Sequence, residues 1–544
     1  MLLEAGVPTD VTVETLDEIT SSAPIPENSE DENDDLDAIP SLELPPPIIP
    51  FRIYGHNYLD KKYQIHMTLG HLSMKNPRPP VRLYGNSRLS SLKLVISPKP
   101  DTGMIPHSVI LPLDDKRESF TFQVESLSGF SVDFMIFPTF GSKVIGKAVC
   151  LPSTFHHAYE SRFSKHCSSG SGGIVICPFL DTYLKVVGEL AFEFLVIKPF
   201  QDVKLEIGGR IETYWKSTST AKPSPAISDS ILGDVNNPNL SLITASSLAD
   251  EYVQLVVQVT RDMVPVVYPN WYLPVEGFDM CVSNVSYKQF KSIAGQLDQS
   301  VDMMDWKGPI SNSELVKKVT RSFMTLEEAF KALPSGIGLC IDIKYPTSTE
   351  MNIFKLYHIS DINDFVDTIL QVVYRHASTY DIHDSSLPVD KTQRDIIFTS
   401  FNPSICRMIN WKQPNYAVFF SAYCGFKSDS FSLRRKSEKT DEKSHSDPEY
   451  YAEEEEEDAR QLSIKEAVKF SRRNNLLGIM CEATPLVQVP SLIQSIKRSG
   501  LILASFGPLN EDPKNIQLQE AHGVDAIVSN GIVRYSKAHS TEFT

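Results

Sequence analysis

The sequence predicts an α/β chain in which an antiparallel β-sandwich precedes a (β/α)8 TIM barrel. Three observations predict it. Residues 51–200 carry apolar residues at period 2, broken by turn residues. From about residue 229, short apolar runs alternate with amphipathic segments, the order of a parallel sheet with crossover helices. Strand candidates begin near Ile231, Val253, Gly336, Asp395, Ala417, Leu476, Leu501 and Asp525, the number a closed barrel needs.

A chain of 544 residues exceeds one ordinary core, so several domains are expected. Residues 1–50 hold an acidic run, Glu27 to Asp37, followed by Pro45-Pro46-Pro47 and Pro50, the composition of a disordered linker. The opening Met1-Leu2-Leu3-Glu4-Ala5-Gly6 lacks the basic and apolar parts of a signal peptide. It reads either as the end of an ankyrin array or as a short stray helix. In the sandwich, Leu92, Leu94 and Ile96 form one alternating set, Phe120, Phe122 and Val124 a second, and Phe130, Val132 and Phe134 a third. The Ser/Gly loop Ser168 to Gly173 contains no GxSxG elbow for a serine nucleophile.

Residues 201–228 read as a connector and 229–540 as the barrel. Thr325-Leu326-Glu327-Glu328 is a capping box that starts a helix. Lys497-Arg498-Ser499-Gly500 ends one, with cations in the last turn and a terminating glycine. A charged, Ser-rich stretch at 426–462 reads as a disordered insertion. Within it Arg434-Arg435-Lys436-Ser437 fits a basophilic phosphorylation site, with a solvated loop as the plainer reading.

The net charge of −16 sits mostly in two places, the run after Glu27 and Glu453 to Asp458. No clustered Lys and Arg mark a phosphate backbone, so no nucleic-acid partner is expected. No apolar run reaches the roughly 18–20 residues a bilayer takes, so no membrane partner is expected either. Eight cysteines lack CxxC or zinc spacing and read as buried thiols of a cytoplasmic and nuclear protein.

The motifs carry a resemblance. Val253 to Asn270 resembles the strand-turn-strand of glycerophosphodiester phosphodiesterases, E-x-D-V-Q-x-T-x-D-x-x-P-V-x-x-H-D. Gly338-Leu339-Cys340-Ile341-Asp342-Ile343-Lys344-Tyr345-Pro346 resembles the E-x-K-Y-P strand, Ile397 to Pro403 the S-S-F-x-P strand end, and Gly523-Val524-Asp525 the closing G-V-D. The resemblance implies a hard divalent metal on carboxylates and two histidines as acid and base. This chain departs from that set. Asp234 and Val235 stand for the histidine and arginine of the first strand, Gln254 and Val256 for the E-x-D pair, and Pro269 and Asn270 for the H-D pair. Asp342 is a shortened carboxylate and Lys344 is kept in kind. None of His358, His376, His383, His445, His522 and His539 lies near an expected strand end.

These eight relic positions predict no catalytic, metal or cofactor site, and hence a pseudoenzyme. An ion pair between Asp342 and Lys344, two apart on one strand, is the expected substitute for the metal. Phe51 to Tyr58 and Pro138 to Gly146 resemble fungal proteins that join SPX, ankyrin and phosphodiesterase-like domains. One branch of that group is an active glycerophosphocholine phosphodiesterase. The other, with a degenerate barrel, inhibits the cyclin-dependent kinase (CDK) complex of the phosphate-starvation pathway. The lost residues point to the second branch, with a cyclin–CDK complex as partner and the active enzyme as the alternative.

Overall fold

The computed structural model describes the chain between Ile53 and Tyr535 apart from several segments, the longest being 157–170, 202–214, 218–241, 297–313, 377–393 and 426–457. Residues 1–50, the Arg434 to Ser437 site, most of the Phe51 to Tyr58 motif and most of the acidic run 453–458 thus lie outside the described residues.

The strands come in order as β1 (Ile53–Tyr54), β2 (Tyr63–Leu69), β3 (Val81–Leu83), β4 (Leu92–Lys99), β5 (His107–Leu111), β6 (Ser119–Val124), β7 (Ser131–Pro138), β8 (Gly146–Cys150), β9 (Gly172–Leu180) and β10 (Val186–Ile197). One antiparallel path runs β5-β4-β7-β8-β9-β10-β2-β6. Its two halves join through a single ladder pair, Lys147 with Leu180. The path therefore folds into two layers. The alternation read from the sequence supplies their shared core: Leu94, Ile96, Phe122, Phe130, Val132, Phe134 and Phe192 are all buried together.

β11 (Trp215–Ser217) and β12 (Leu242–Ile243) form a separate small sheet with β1. The barrel follows: β13 (Glu251–Val259), β14 (Pro265–Val267), β15 (Gly338–Ile343), β16 (Ile396–Ser400), β17 (Ala417–Ala422), β18 (Gly478–Glu482), β19 (Ile502–Phe506), β20 (Ala526–Ser529) and β21 (Ile532–Tyr535). Seven strands, β13 and β15 to β20, run parallel in sequence order. The sequence expectation for the eighth place is a parallel strand. Its strand near Ile231 lies outside the described residues. The barrel is instead closed by β21, which turns back at Asn530-Gly531 and pairs antiparallel with both β20 and β13. Asn530 and Gly531 both have positive φ, 53° and 74°, as a tight hairpin turn requires.

Period 2 sorts the barrel residues onto two faces. Val253, Leu255, Val257, Leu339, Ile341 and Ile343 face the helices in the larger core. Tyr252, Cys340, Ile397, Phe419, Met480 and Val533 fill the interior. Gly478 lets β18 lie close to its neighbours, since a Cβ there would sit 2.2 Å from the Phe419 ring and 2.5 Å from the Ile502 carbonyl. The helix Leu326–Ala332 opens on the expected capping box, with Thr325 and Glu328 satisfying each other's backbone.

Sandwich and barrel share core. Leu59, Leu195, Ile197 and Phe200 pack in the same cluster as the outer barrel residues. Asn363 at the start of the helix Ile362–His376 donates to the Val196 carbonyl at 2.9 Å and accepts from the Lys198 N–H at 2.8 Å. The hydroxyl of Ser171 donates to the Asp361 carboxylate at 2.7 Å. The described residues resume at Asp458, inside the stretch 426–462 expected as an insertion. Asp458 caps the helix Ala459–Leu462 and grips Arg460 at 2.6 Å, while Arg460 lies 3.8 Å from Glu193 of the sandwich.

Candidate functional site

The parallel register sets Gln254 against Cys340 and Val256 against Asp342. All four point inward, because Tyr252 and Cys340 at the same phase line the interior core. The C-terminal ends of these strands form the mouth, where barrels of this type carry their chemistry. The structure brings six of the eight predicted positions together there: Gln254, Val256, Pro269, Asn270, Asp342 and Lys344 lie on β13, on β15 and the residue after it, and on the segment after β14. Asp234 and Val235 lie outside the described residues.

The segment after β14 is clamped through its carbonyls. Buried Gln258 donates from Nε2 to the carbonyls of Tyr268 at 2.8 Å and Asn270 at 2.7 Å. Lys344 takes the carbonyl between them: its Nζ donates to Pro269 O at 2.5 Å. The same ammonium lies 4.5 Å from the centroid of the Trp271 ring. The expected Asp342–Lys344 ion pair is therefore not the direct contact. The ammonium has a carbonyl and a ring face as its near ligands, and Asp342 accepts from the Thr399 hydroxyl at 3.2 Å. The physical reason is reach. Side chains two apart on a strand share a face, but a lysine is long enough to pass its neighbour and find the clamped loop.

Three contributing residues were not read from the sequence as site residues. Gln258 stands inside the quoted motif. Trp271 follows it. Glu350 starts the helix Ser348–Ile353, where its carboxylate accepts from the Thr347 N–H at 2.9 Å and the Thr347 hydroxyl at 3.0 Å. The signal for Glu350 was available as a capping box, Thr347 to Glu350, directly after β15.

Burial dominates the electrostatics. It pushes the Asp342 carboxyl up to about 6, against the opposing pull of Lys344 and the Thr399 hydrogen bond. It also raises Glu350 and lowers Lys344. Tyr423 is raised by burial first, then by the carboxylates of Glu350 and Asp342. Beside this cluster the mouth opens into a cavity of about 360 Å³, lined by Gln254, Phe401, Met480, Phe506, Val528 and Asn530 among others. Phe401 stacks on Tyr423 at 4.3 Å and meets Phe506 edge-on at 5.5 Å.

A divalent metal does not fit these residues. Hard cations take several oxygen ligands. Here Asp342 faces Val256 across the register, Glu350 is spent on its helix start, and Pro269 offers a carbonyl already held by Lys344. Among the described residues no group of three or more His, Cys, Asp or Glu is placed to hold a metal.

That chemistry gives a pH prediction. A folded value near 6 lies above the ordinary carboxylate value, so Asp342 contributes stability that is full below about pH 4 and is lost as pH rises through about 6. Asp342→Asn keeps an acceptor for Thr399 and is expected to be more stable than the parent at pH 7.5, on the order of 2–3 kcal/mol. At pH 4 the two should coincide. Urea melts at both pH values check this, and Mg2+ should leave the parent's profile in place.

Residues 236–533 match the glycerophosphoryl diester phosphodiesterase family, and residues 59–201 match the GDE1-like C2 domain. The chain belongs to the glycerophosphoryl diester phosphodiesterase family. It is 32% identical over 496 residues to the ankyrin repeat protein nuc-2 of Neurospora crassa, covering 89% of this chain and 43% of that one. Against the phosphate system positive regulatory protein PHO81 of Saccharomyces cerevisiae it is 28% identical over 525 residues, covering 88% and 40%. Against the glycerophosphocholine phosphodiesterase GDE1 of Candida albicans it is 27% identical over 557 residues, covering 89% and 44%. The chain thus spans about two fifths of the length of these relatives.

Proposed function

We propose that this chain is a catalytically silent member of the family that regulates phosphate signalling by binding and restraining a cyclin–CDK complex, in cytoplasm and nucleus. The observation that carries the silent reading is the clamp on residues 268–270. Where the family resemblance implies an acid–base histidine and a metal carboxylate, Pro269 and Asn270 supply backbone carbonyls to Gln258 and Lys344. Proline neither ligates a metal through its side chain nor moves a proton. The likeness to the phosphate regulator PHO81 supports the regulatory half of the reading.

A second reading, glycerophosphocholine hydrolysis, is favoured by the likeness to GDE1. It needs carboxylates that the described mouth does not bring together. The two readings separate in the host organism. Deleting residues 59–533 from the gene is expected to remove the transcriptional response to phosphate starvation and to leave glycerophosphocholine turnover in extracts unchanged. The tagged full-length protein is expected to co-purify with a cyclin–CDK complex. A deletion that lowers turnover and spares the response would replace this reading with the enzymatic one.

A further inference from the structure

All seven cysteines among the described residues are buried. Two of them meet inside the sandwich. Cys150 ends β8 and Cys177 lies in β9, the two strands joined by the single ladder pair Lys147–Leu180. Each lies three residues from that pair, toward the same end, so the antiparallel register sets them opposite each other. Both side chains are buried in the same sandwich core. Cys150 is 1% exposed and Cys177 is 9% exposed, so the second residue lies nearer the core's edge.

We propose that Cys150 and Cys177 form a thiol–disulfide pair, a redox modification site that ties the two layers of the sandwich together in response to peroxide. Neither the barrel mouth nor the regulatory reading uses these residues. The site differs from a lone buried thiol, which oxidises slowly and has no resolving partner. Here the register sets a second buried thiol opposite the first.

The step balances with one peroxide. Cys177 attacks as the thiolate, because the hydrogen bond from Cys150 lowers its pKa. A bond forms between Cys177 Sγ and one peroxide oxygen while the O–O bond breaks, leaving a sulfenic acid and hydroxide. Cys150 gives up its thiol proton, its sulfur attacks Cys177 Sγ, and the S–O bond breaks. The products are one disulfide and two waters. The two sulfurs lose two electrons together, and the peroxide gains them. A small oxidant suits a sulfur with little exposed surface.

Oxidation has a mechanical meaning in this fold. The layers share one backbone pair at this junction, and β9 begins beside Ser171, which holds Asp361 of the barrel. A bond between residues 150 and 177 closes the chain between them and restricts the unfolded state. The oxidised chain should therefore melt several degrees above the reduced chain, and a dithiol reductant should reverse the shift.

The whole chain, reduced and then treated with hydrogen peroxide, is digested without reductant and mapped by mass spectrometry. The expected result is a linked peptide pair joining Cys150 to Cys177, lighter by two hydrogens than the separate peptides, with the rise in melting temperature. Cys150→Ser and Cys177→Ser should each lose both signals. If either variant folds poorly, the peptide map of the unaltered chain decides alone. Two free thiols, a sulfinic acid at Cys177, or a link from either residue to Cys167 would overturn the proposal.

Discussion

The purified chain, given glycerophosphocholine with Mg2+, Ca2+ or Mn2+, is expected to release neither choline nor glycerol phosphate. Each missing acid–base group costs ~10²–10⁴ in rate, and the sequence replaces both histidines of the family pattern as well as its paired carboxylates. Restoring four residues at once, Gln254→Glu, Val256→Asp, Pro269→His and Asn270→Asp, is expected to create metal affinity measurable by calorimetry. Turnover should still fall short by at least ~10². The reason lies in the barrel wall. A parallel strand between β20 and β13 would end in a side chain aimed at the mouth, but that place holds β21 and the turn Asn530-Gly531. Metal-dependent turnover by the unaltered chain, lost on Asp342→Ala, would refute the silent reading.

The largest single-site loss of stability is expected away from the mouth. Lys412 ends the helix Pro403–Lys412 with no exposed surface, and its Nζ donates to Asp367 at 2.7 Å. Burial lowers its pKa, with Asp367 pulling the other way. Removing one partner of a buried pair leaves an uncompensated charge, which costs about 3–5 kcal/mol. Asp367→Ala should therefore show that loss in urea unfolding. Lys412→Met, which removes the charge and keeps the volume, should cost far less, and added to Asp367→Ala it should restore most of the loss. Equal losses in the two single variants would show that packing, not charge, is what the pair supplies.

Much of the fold was legible because it rests on local pattern. Seven parallel strands follow from apolar runs such as Leu339 to Ile343, and helix starts from capping boxes at Thr325 and Thr347. The strand expected near Ile231 lies outside the described residues, and closure by β21 is a long-range choice that no window reveals. The signal for β21 was present: Asn530-Gly531 between Ala526 to Ser529 and Ile532 to Tyr535 is a strong hairpin pattern. The six relic positions of the mouth could be named from motif order alone. Their contacts could not, because Lys344 binds a backbone carbonyl and every residue has one. Gln258 was hidden for the same reason.

Closure by β21 also has a consequence for how the molecule is made. The first barrel strand, β13, leaves the ribosome with its edge over Glu251 to Val253 unpaired, and its partner is not synthesised until Ile532 to Arg534. For some 280 residues of translation the sheet has two open edges, the state most prone to pairing with other chains. β14 covers only the far third of β13, from Val257 to Val259. Nascent chains stalled before residue 532 should depend on chaperones, and those extended past 535 by an unstructured tether should not.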